Sequence, residues 1–293
     1  MFYITIYTSG ENKMSKKWTA VIEPKNKLID LKLKEVWQYR DLIWLFVKRD
    51  FSTRFKQTVL GPAWFIIQPL LVTVAQTFIF GNVAGLSTDG LPQFLFYMAG
   101  NVPWLYFSDC LTKTSNTFTA NSKIFGKIYF PRLTTPISVA ISSLINFFIQ
   151  FAMFIVFTLA FMFGGANVHI TWVAALTPLF VLELAVLSMG FGIIISSLTT
   201  KYRDLQVLVG FGVMVWMYLT PVIVAGSSLS PWAYTLMMLN PVSPVVELMR
   251  YGWLGAGTMP FMYLGISWIV SLVVLFIGII LFNKVERTFM DTV

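Results

Sequence analysis

Cysteine, histidine and charged residues are all scarce in this sequence of 293 residues. The single cysteine, Cys110, excludes a disulfide bond within the chain. The single histidine, His169, excludes metal and nucleophile sites that need several histidines, and also a cluster of His and Cys ligands. Charged residues make up 12% of the chain, compared with about 25% in soluble domains. The sequence therefore does not predict a sizeable water-exposed domain.

A phosphate-binding loop is also absent. Gly126-Lys127 resembles the end of a Walker A motif, but Ile128 replaces the required Ser or Thr, and no glycine stands five residues before Gly126. If ATP powers this protein, a separate subunit has to supply it.

Apolar residues are abundant and make up 57% of the chain, which is enough for about six membrane spans of roughly 20 residues each. The pattern predicts an all-α membrane protein with six transmembrane helices. The predicted spans are residues 60–80, 93–120, 134–163, 172–199, 206–225 and 262–283. We expect one transmembrane domain over residues 59–283, between an N-terminal segment 1–58 and a tail 284–293.

The positions of lysine and arginine predict the orientation of these spans. Segments 1–58, 121–133, 200–205 and 284–293 hold 12, 3, 2 and 2 of the 21 basic residues. The loops on the other side hold none, apart from Arg250 in segment 226–261. Because basic loops stay in the cytoplasm, we expect a multi-pass protein of the bacterial inner membrane with both termini cytoplasmic.

Segment 226–261 is apolar but interrupted. Proline at positions 231, 241 and 244 prevents one continuous helix. Broken backbone at membrane depth has to be buried in protein or line a cavity. The segment therefore predicts short re-entrant helices, with Pro241, Pro244, Glu247 and Arg250 as its notable residues.

Residues 37–57 predict an amphipathic helix that lies in the membrane interface. Its apolar stripe comprises Trp37, Trp44, Val47, Phe51 and Phe55. Arg49, Thr53 and Lys56 are expected on the opposite face. Such a helix can serve only as an anchor, or it can also transmit force from a partner, and periodicity does not separate these two roles.

Three charged residues stand inside predicted spans. Asp109 and Lys113 are four residues apart on one helix face, where pairing lowers the cost of a charge in the membrane. We expect a structural ion pair, with a polar patch on a substrate path as the alternative. Glu183 can line a cavity or act as a protonated hydrogen-bonding group.

A row of small residues, Ser188, Gly192 and Ser196, follows Glu183 in the fourth span. Such rows let helices approach closely, and we expect this one to pack within the chain rather than between subunits.

Several segments together resemble the O-antigen and capsule exporter permeases of the ABC superfamily, the Wzm type. The resemblance covers roughly residues 18–293. It is carried by YRDLIWLFVKRDF (39–51), LGPAWFIIQPL (60–70), GLSTDGLPQFLFYMAG (85–100), CLTKTSNTF (110–118), FGKIYFPRL (125–133), KYRDLQ (201–206) and LNPVSPVVELMRYGWLG (239–255).

The resemblance implies a homodimer that binds two cytoplasmic ATPase subunits and exports a lipid-linked polysaccharide. It implies that this chain binds no cofactor itself, since ATP and magnesium belong to the ATPase, and that it is not an enzyme and binds no nucleic acid. By position, residues 37–57 correspond to the interface helix, loop 121–133 to the coupling helix and residues 231–257 to short re-entrant helices on the outer side.

Loop 121–133 combines basic and aromatic side chains, a mixture that suits docking on an ATPase. The candidate coupling residues are Lys123, Phe125, Lys127, Tyr129 and Arg132, with Arg203 and Asp204 in the next cytoplasmic loop.

Three alternatives stay open from the sequence. A teichoic acid or capsule exporter permease belongs to the same class. An ion-coupled transporter would use Asp109, Lys113 or Glu183 as a relay, but no inverted repeat supports it. A membrane enzyme would need a clustered acid–base or metal site, which this sequence does not offer.

Overall fold

The computed structural model describes residues 33–56, 58–125, 130–199, 201–202 and 204–292. Within these ranges the chain is helical and forms no strand, so the predicted all-α class is confirmed. The helices are α1 (Leu33–Gln38), α2 (Arg40–Phe55), α3 (Trp64–Gln76), α4 (Gln93–Ser115), α5 (Thr117–Phe125), α6 (Thr134–Phe163), α7 (Thr177–Thr199), α8 (Leu205–Tyr218), α9 (Pro231–Leu239), α10 (Ser243–Leu254) and α11 (Phe261–Thr292).

Four helical segments in the described ranges are long and apolar enough to cross a membrane. They are Gly61–Val83, Thr134–Phe163, Trp172–Thr199 and Phe261–Val285, and they match the first, third, fourth and sixth predicted spans. The second and fifth predicted spans do not meet these criteria. Helix α4 is too polar, and α8, with 14 residues, reaches only about 21 Å of the roughly 30 Å hydrocarbon core.

The polarity of α4 follows from its place in the bundle. It contacts α3, α6, α7, α8 and α10, and every residue from Leu95 to Trp104 is buried. A helix enclosed by protein presents little surface to lipid, so it can carry polar side chains that pair inside the bundle. One example is Asn101, whose side-chain amide donates to Gln76 at 2.7 Å and to Thr73 at 3.1 Å on α3.

Helix α7 packs tightly on both sides through small residues. Its predicted row Ser188, Gly192 and Ser196 is buried within the chain, as expected. A Cβ atom added at Gly192 would lie 2.5 Å from Cβ of Thr114 on α4. On the other side, a Cβ atom added at Gly190 would lie 2.8 Å from the backbone nitrogen of Leu275 on α11. Helix α7 therefore packs at short distance against both α4 and α11, at positions where only glycine fits.

Three of the connecting segments meet at one end of the bundle. There the Ser227 hydroxyl donates to the Asp89 carboxylate, and Thr171 N donates to Gly252 O at 2.8 Å. These contacts join the loops around residues 81–92 and 164–171 to segment 226–261. The opposite end holds α1, α2 and α5, around a cluster of Val36, Phe46, Phe118, Phe125, Phe130, Leu133, Ile193 and Phe282.

Candidate functional site

A polar cluster inside the bundle is centred on Asp109 of α4. Its carboxylate accepts from Lys113 Nζ at 2.6 Å, which is the ion pair that the sequence predicted. It also accepts from Ser143 Oγ at 2.8 Å and from Asn146 Nδ2 at 3.1 Å, both on α6. Three donors on two helices therefore hold one carboxylate at the α4–α6 contact.

A cavity of about 300 Å³ lies beside this cluster, between α3, α4 and α6, with Val213 of α8 at its edge. Its polar lining includes Gln68, Ser108, Asp109, Thr112, Ser143, Asn146 and Gln150, and its aromatic lining includes Trp64, Phe65, Tyr106 and Phe147. The sequence analysis missed the polar residues of α6. The available signal was their spacing, because positions 143, 146 and 150 fall on one face of an otherwise apolar helix.

A second cavity of about 630 Å³ adjoins the first on the side of the basic end and shares Phe65 and Asn146 with it. It lies between α2, α4, α5 and α6, with Arg49, Asp50 and Lys113 among its lining residues. Two neighbouring cavities with polar groups in their linings therefore lie between the basic end of the molecule and the inner part of the bundle.

The role of the Asp109–Lys113 pair is tested by comparing single and double substitutions. Asp109→Ala should lower the free energy of unfolding by about 1–3 kcal/mol, because Lys113, Ser143 and Asn146 lose their shared acceptor. Asp109→Leu combined with Lys113→Met should recover most of that loss, as measured by thermal unfolding of the purified protein. A well-folded double variant that exports nothing would assign the pair a transport role instead of a structural one.

The segment predicted as an interface helix folds as two helices, α1 and α2, with a turn at Tyr39. Trp37 and Trp44 face outward, exposed over 71% and 64% of their surface, whereas Phe51 is 37% exposed and packs against Phe65 of α3, with ring centres 6.1 Å apart. The side chain of Phe55 lies outside the described residues. Val47, predicted on the same stripe, is buried. The segment therefore has two apolar faces, one outward and one packed against the bundle.

The predicted coupling residues are only partly described. Lys127, Tyr129, Arg203 and the side chain of Lys123 lie outside the described residues. Phe125 and Arg132 are buried, with the Arg132 guanidinium 5.4 Å from the centre of the Phe125 ring. Asp204 is exposed. In this chain Phe125 and Arg132 therefore fix the segment to the bundle, and its outward surface comes from other residues.

Segment 226–261 folds as the prolines predicted, into two short helices instead of one. Helix α9 begins at Pro231, and Pro244 stands in the first turn of α10. Pro241 lies between the two helices. Helix α10 has 12 residues, so it extends about 18 Å, too short to cross a bilayer.

A fully buried ion pair lies in α10. Arg250 donates from Nη1 to Glu247 Oε1 at 2.9 Å and from Nη2 to Pro221 O at 2.7 Å. The guanidinium carbon lies 3.8 Å from the centre of the Phe96 ring on α4. Glu247 also accepts from Gly226 N at 3.2 Å. Burial lowers the pKa of the Arg250 guanidinium, and the Glu247 carboxylate opposes that shift. The pair fastens α10 to α4 and to the connection that follows α8.

The carboxyl group of Glu183 is fully buried between α7 and α11, where it is hydrogen-bonded to the Ser267 hydroxyl. Of the two roles considered for Glu183, lining a cavity or forming a hydrogen bond inside the bundle, the structure shows the hydrogen bond. Glu183 and the Asp109–Lys113 pair occupy different helix contacts and have separate partners. They do not form one continuous relay.

Across the part of the chain that the structure describes, no three His, Cys, Asp or Glu side chains come together as metal ligands. The described features are spanning helices, cavities with polar and aromatic linings, and short helices at one end. This combination defines a polytopic α-helical membrane protein.

Comparison with known proteins identifies the family to which this chain belongs. The family model described as "ABC-2 type transporter" matches residues 41–254, which is most of the chain. The chain belongs to the ABC-2 type transporter membrane family.

Individual relatives align over most of their length. An O-antigen export system permease protein RfbA of Klebsiella pneumoniae is 27% identical over 86% of this chain and 94% of its own length. A protein of the same name from Myxococcus xanthus is 26% identical over 74% of this chain and 80% of its own length. The polysialic acid transport protein KpsM of Escherichia coli is 24% identical over 83% of this chain and 93% of its own length.

Proposed function

We propose that this chain is the transmembrane permease subunit of an ATP-driven exporter that moves a lipid-linked, O-antigen-like polysaccharide across the bacterial inner membrane. The observation that carries the proposal is the alignment over 94% of the RfbA protein of Klebsiella pneumoniae, together with the family match over residues 41–254. The cavity beside Asp109, with polar and aromatic side chains in its lining, supports it, because sugar hydroxyls bind polar side chains while their ring faces contact aromatic ones.

In this proposal ATP and magnesium bind a separate ATPase, and two ATPase subunits serve two copies of the permease. The absence of a Walker A motif from the sequence supports a separate ATPase. A second copy could pack against α3 and α8, because both helices carry exposed apolar side chains, such as Leu71, Val74, Phe211 and Met214.

The proposed orientation places the basic end in the cytoplasm together with both termini. It makes α4 and α8 the second and fifth of six crossings, with α4 enclosed by protein and α8 completed by the turns that follow Tyr218. Helices α9 and α10 then lie on the outer side as re-entrant helices. The support is the charge difference between the two ends of the bundle, which follows the rule for cytoplasmic loops.

A capsule exporter permease is the second candidate. The alignment with the KpsM protein over 93% of its length favours it as a member of the same class. The two candidates differ in the exported glycan, and they share the topology and the partner ATPase.

The proposed function is tested by deleting the gene in its host and by purifying the tagged protein. Deletion should remove the surface glycan and leave glycan inside the cell, and the intact gene should restore export. The tagged chain should bring an ATPase with it. Unchanged surface glycan after deletion, together with purification of the chain alone, would refute the assignment.

We further propose that the segment from α5 to Leu133 couples ATP hydrolysis to movement of the bundle. Phe125 packs against Phe118 and Phe130, with ring centres 5.9 and 5.6 Å away. Phe125→Leu keeps an apolar side chain but removes these ring contacts. We expect the variant to insert normally, to retain less ATPase in co-purification, and to lose most glycan-stimulated hydrolysis.

The control for this prediction is Phe148→Leu on α6, since Phe148 is 60% exposed and lies outside the cluster around Phe125. It should behave like the unaltered protein. Full export and full ATPase retention by the Phe125→Leu variant would rule out a coupling role for that contact.

A further inference from the structure

A carboxyl group buried in the bundle shares its hydrogen-bond partner with a backbone carbonyl. Ser267 Oγ on α11 lies within hydrogen-bonding distance of Glu183 Oε1 on α7, and it lies 2.6 Å from Pro241 O in the connection between α9 and α10. A hydroxyl group has a single hydrogen, so Ser267 can donate to only one of these two oxygen atoms. The Pro241 carbonyl can only accept. Both contacts are hydrogen bonds at the same time only if Ser267 donates to Pro241 O and the Glu183 carboxyl group carries the hydrogen of the other bond.

The charge balance around Glu183 leads to the same protonation state. Its side chain is fully buried, and in the described part of the chain no basic side chain forms an ion pair with it. Its second oxygen, Oε2, has no hydrogen-bond partner. A buried carboxylate without a counter-charge is so costly that the group takes up a proton instead. The surroundings therefore favour the neutral carboxylic acid.

The neighbouring helices supply no charge that would stabilise an ionised Glu183. Helices α6 and α8, which pack against α7, carry no charged residue. Helix α5 meets α7 at Ser196, which is 13 residues and about 20 Å beyond Glu183. The charged residues of α11 begin at Lys284, which is 17 residues and about 26 Å beyond Ser267. The charged residues of α4 and α10 pair with each other, Asp109 with Lys113 and Glu247 with Arg250.

The other titratable side chains on the helices that pack against α7 are uncharged in their ordinary form. They are Tyr97, Tyr106 and Cys110 on α4, Tyr218 on α8, Tyr251 on α10 and Tyr263 on α11.

We propose that Glu183 binds a proton and acts as a proton-dependent tether, in which its carboxyl group donates to Ser267 and Ser267 donates to Pro241 O. These two hydrogen bonds join α7 to α11, and join both helices to the connection between α9 and α10. Release of the proton to water removes the first donor and leaves an uncompensated negative charge in the bundle, so the tether opens at high pH. The proposal concerns this chain alone and does not rest on the export function.

Infrared spectroscopy of the purified full chain in lipid nanodiscs tests the protonation state. A protonated carboxyl group has a C=O stretching band above the amide and carboxylate bands. At neutral pH the unaltered protein should show this band, and Glu183→Gln should lack it. Ser267→Ala should keep the band and shift it to higher frequency, because the carboxyl group then has no acceptor.

Thermal unfolding as a function of pH tests the tether. An exposed glutamate ionises near about pH 4.3, whereas the folded chain keeps the Glu183 proton to a higher pH. Between these two pH values unfolding releases a proton, so stability falls as the pH rises. The midpoint of the unaltered protein should therefore fall roughly 3–5 °C more per pH unit than that of Glu183→Gln, which has no proton to lose. Above the pH at which Glu183 ionises in the folded chain, the two slopes should become equal.

The matched control is Asp109→Asn, because the Asp109 carboxylate is paired with Lys113 and is expected to be ionised. This variant should keep the acid band and the pH slope of the unaltered protein. The proposal is overturned if the unaltered protein lacks the acid band, if Glu183→Gln keeps it, if Asp109→Asn loses it, or if Glu183→Gln has the same pH slope as the unaltered protein. If Glu183→Gln does not fold, the Ser267→Ala spectrum decides, and an unshifted band then overturns the tether.

Discussion

Replacing Arg250 by alanine is expected to prevent accumulation of the folded protein. The guanidinium is fully buried and donates to Glu247 and to the Pro221 carbonyl, so its loss leaves the buried Glu247 carboxylate without its positive partner and removes a donor from the Pro221 carbonyl. Breaking a buried ion pair from one side costs about 3–5 kcal/mol, a large share of the stability of a typical domain. Size-exclusion chromatography of detergent extracts and the midpoint of thermal unfolding would measure the loss.

Two further variants distinguish the ion pair from a general sensitivity to mutation. Glu247→Leu combined with Arg250→Met should recover part of the loss, because no charge is then left buried. Arg49→Ala removes an arginine from a partly exposed pair with Asp50 and should cost less than about 1 kcal/mol. If Arg250→Ala were as stable as Arg49→Ala, the pair would not hold α10 in place.

Gly190→Ala is expected to destabilise the contact between α7 and α11 strongly. The added carbon would lie 2.8 Å from Leu275 N and 3.0 Å from Leu275 Cα, and these backbone atoms move only if α11 moves as a whole. Overpacking of this kind costs about 1–3 kcal/mol. Gly190→Leu should separate α7 from α11 and abolish folding, as measured by the same chromatography.

Gly265→Ala on α11 is the matched control. An added Cβ atom there meets nothing within 4 Å, so alanine should be neutral or stabilising by a few tenths of a kcal/mol because it favours helix. On the same helix, Gly278→Ala should destabilise, since its Cβ atom would lie 2.9 Å from Gly190 O. Equal stability of the Gly265 and Gly278 variants would contradict the close contact of α7 and α11.

The sequence predicted those parts of the fold that follow from local composition. The spans Thr134–Phe163 and Trp172–Thr199 have the predicted bounds, because a helix that crosses the membrane is apolar along most of its length. Proline positions predicted the interruption of segment 226–261 for an equally local reason. The Asp109–Lys113 pair was predictable because its two residues are one helical turn apart.

Contacts between distant segments were not predictable from one sequence. Ser143 and Asn146 meet Asp109 only because α4 and α6 are adjacent, and Arg250 meets Pro221 and Phe96 only through the packing of α10. The exposed tryptophans of α1 and α2 were found by their spacing, but the burial of Phe46 and Val47 depends on the neighbouring bundle. Phe125 likewise belongs to a cluster that brings α5 together with α1, α2 and α11, which its own segment does not predict.

Helix α8 differs from the other long helices because none of its residues is buried. Near its end it is attached through Trp216, whose ring contacts Phe107 and Phe191 and whose Nε1 donates to Asn240 at 2.9 Å. At its start α8 is attached through Gln206, whose Nε2 donates to Thr119 Oγ1 on α5 at 2.9 Å. Displacing α4 or α7 would disturb the buried core, whereas a displacement of α8 is expected to act first on these contacts at its two ends.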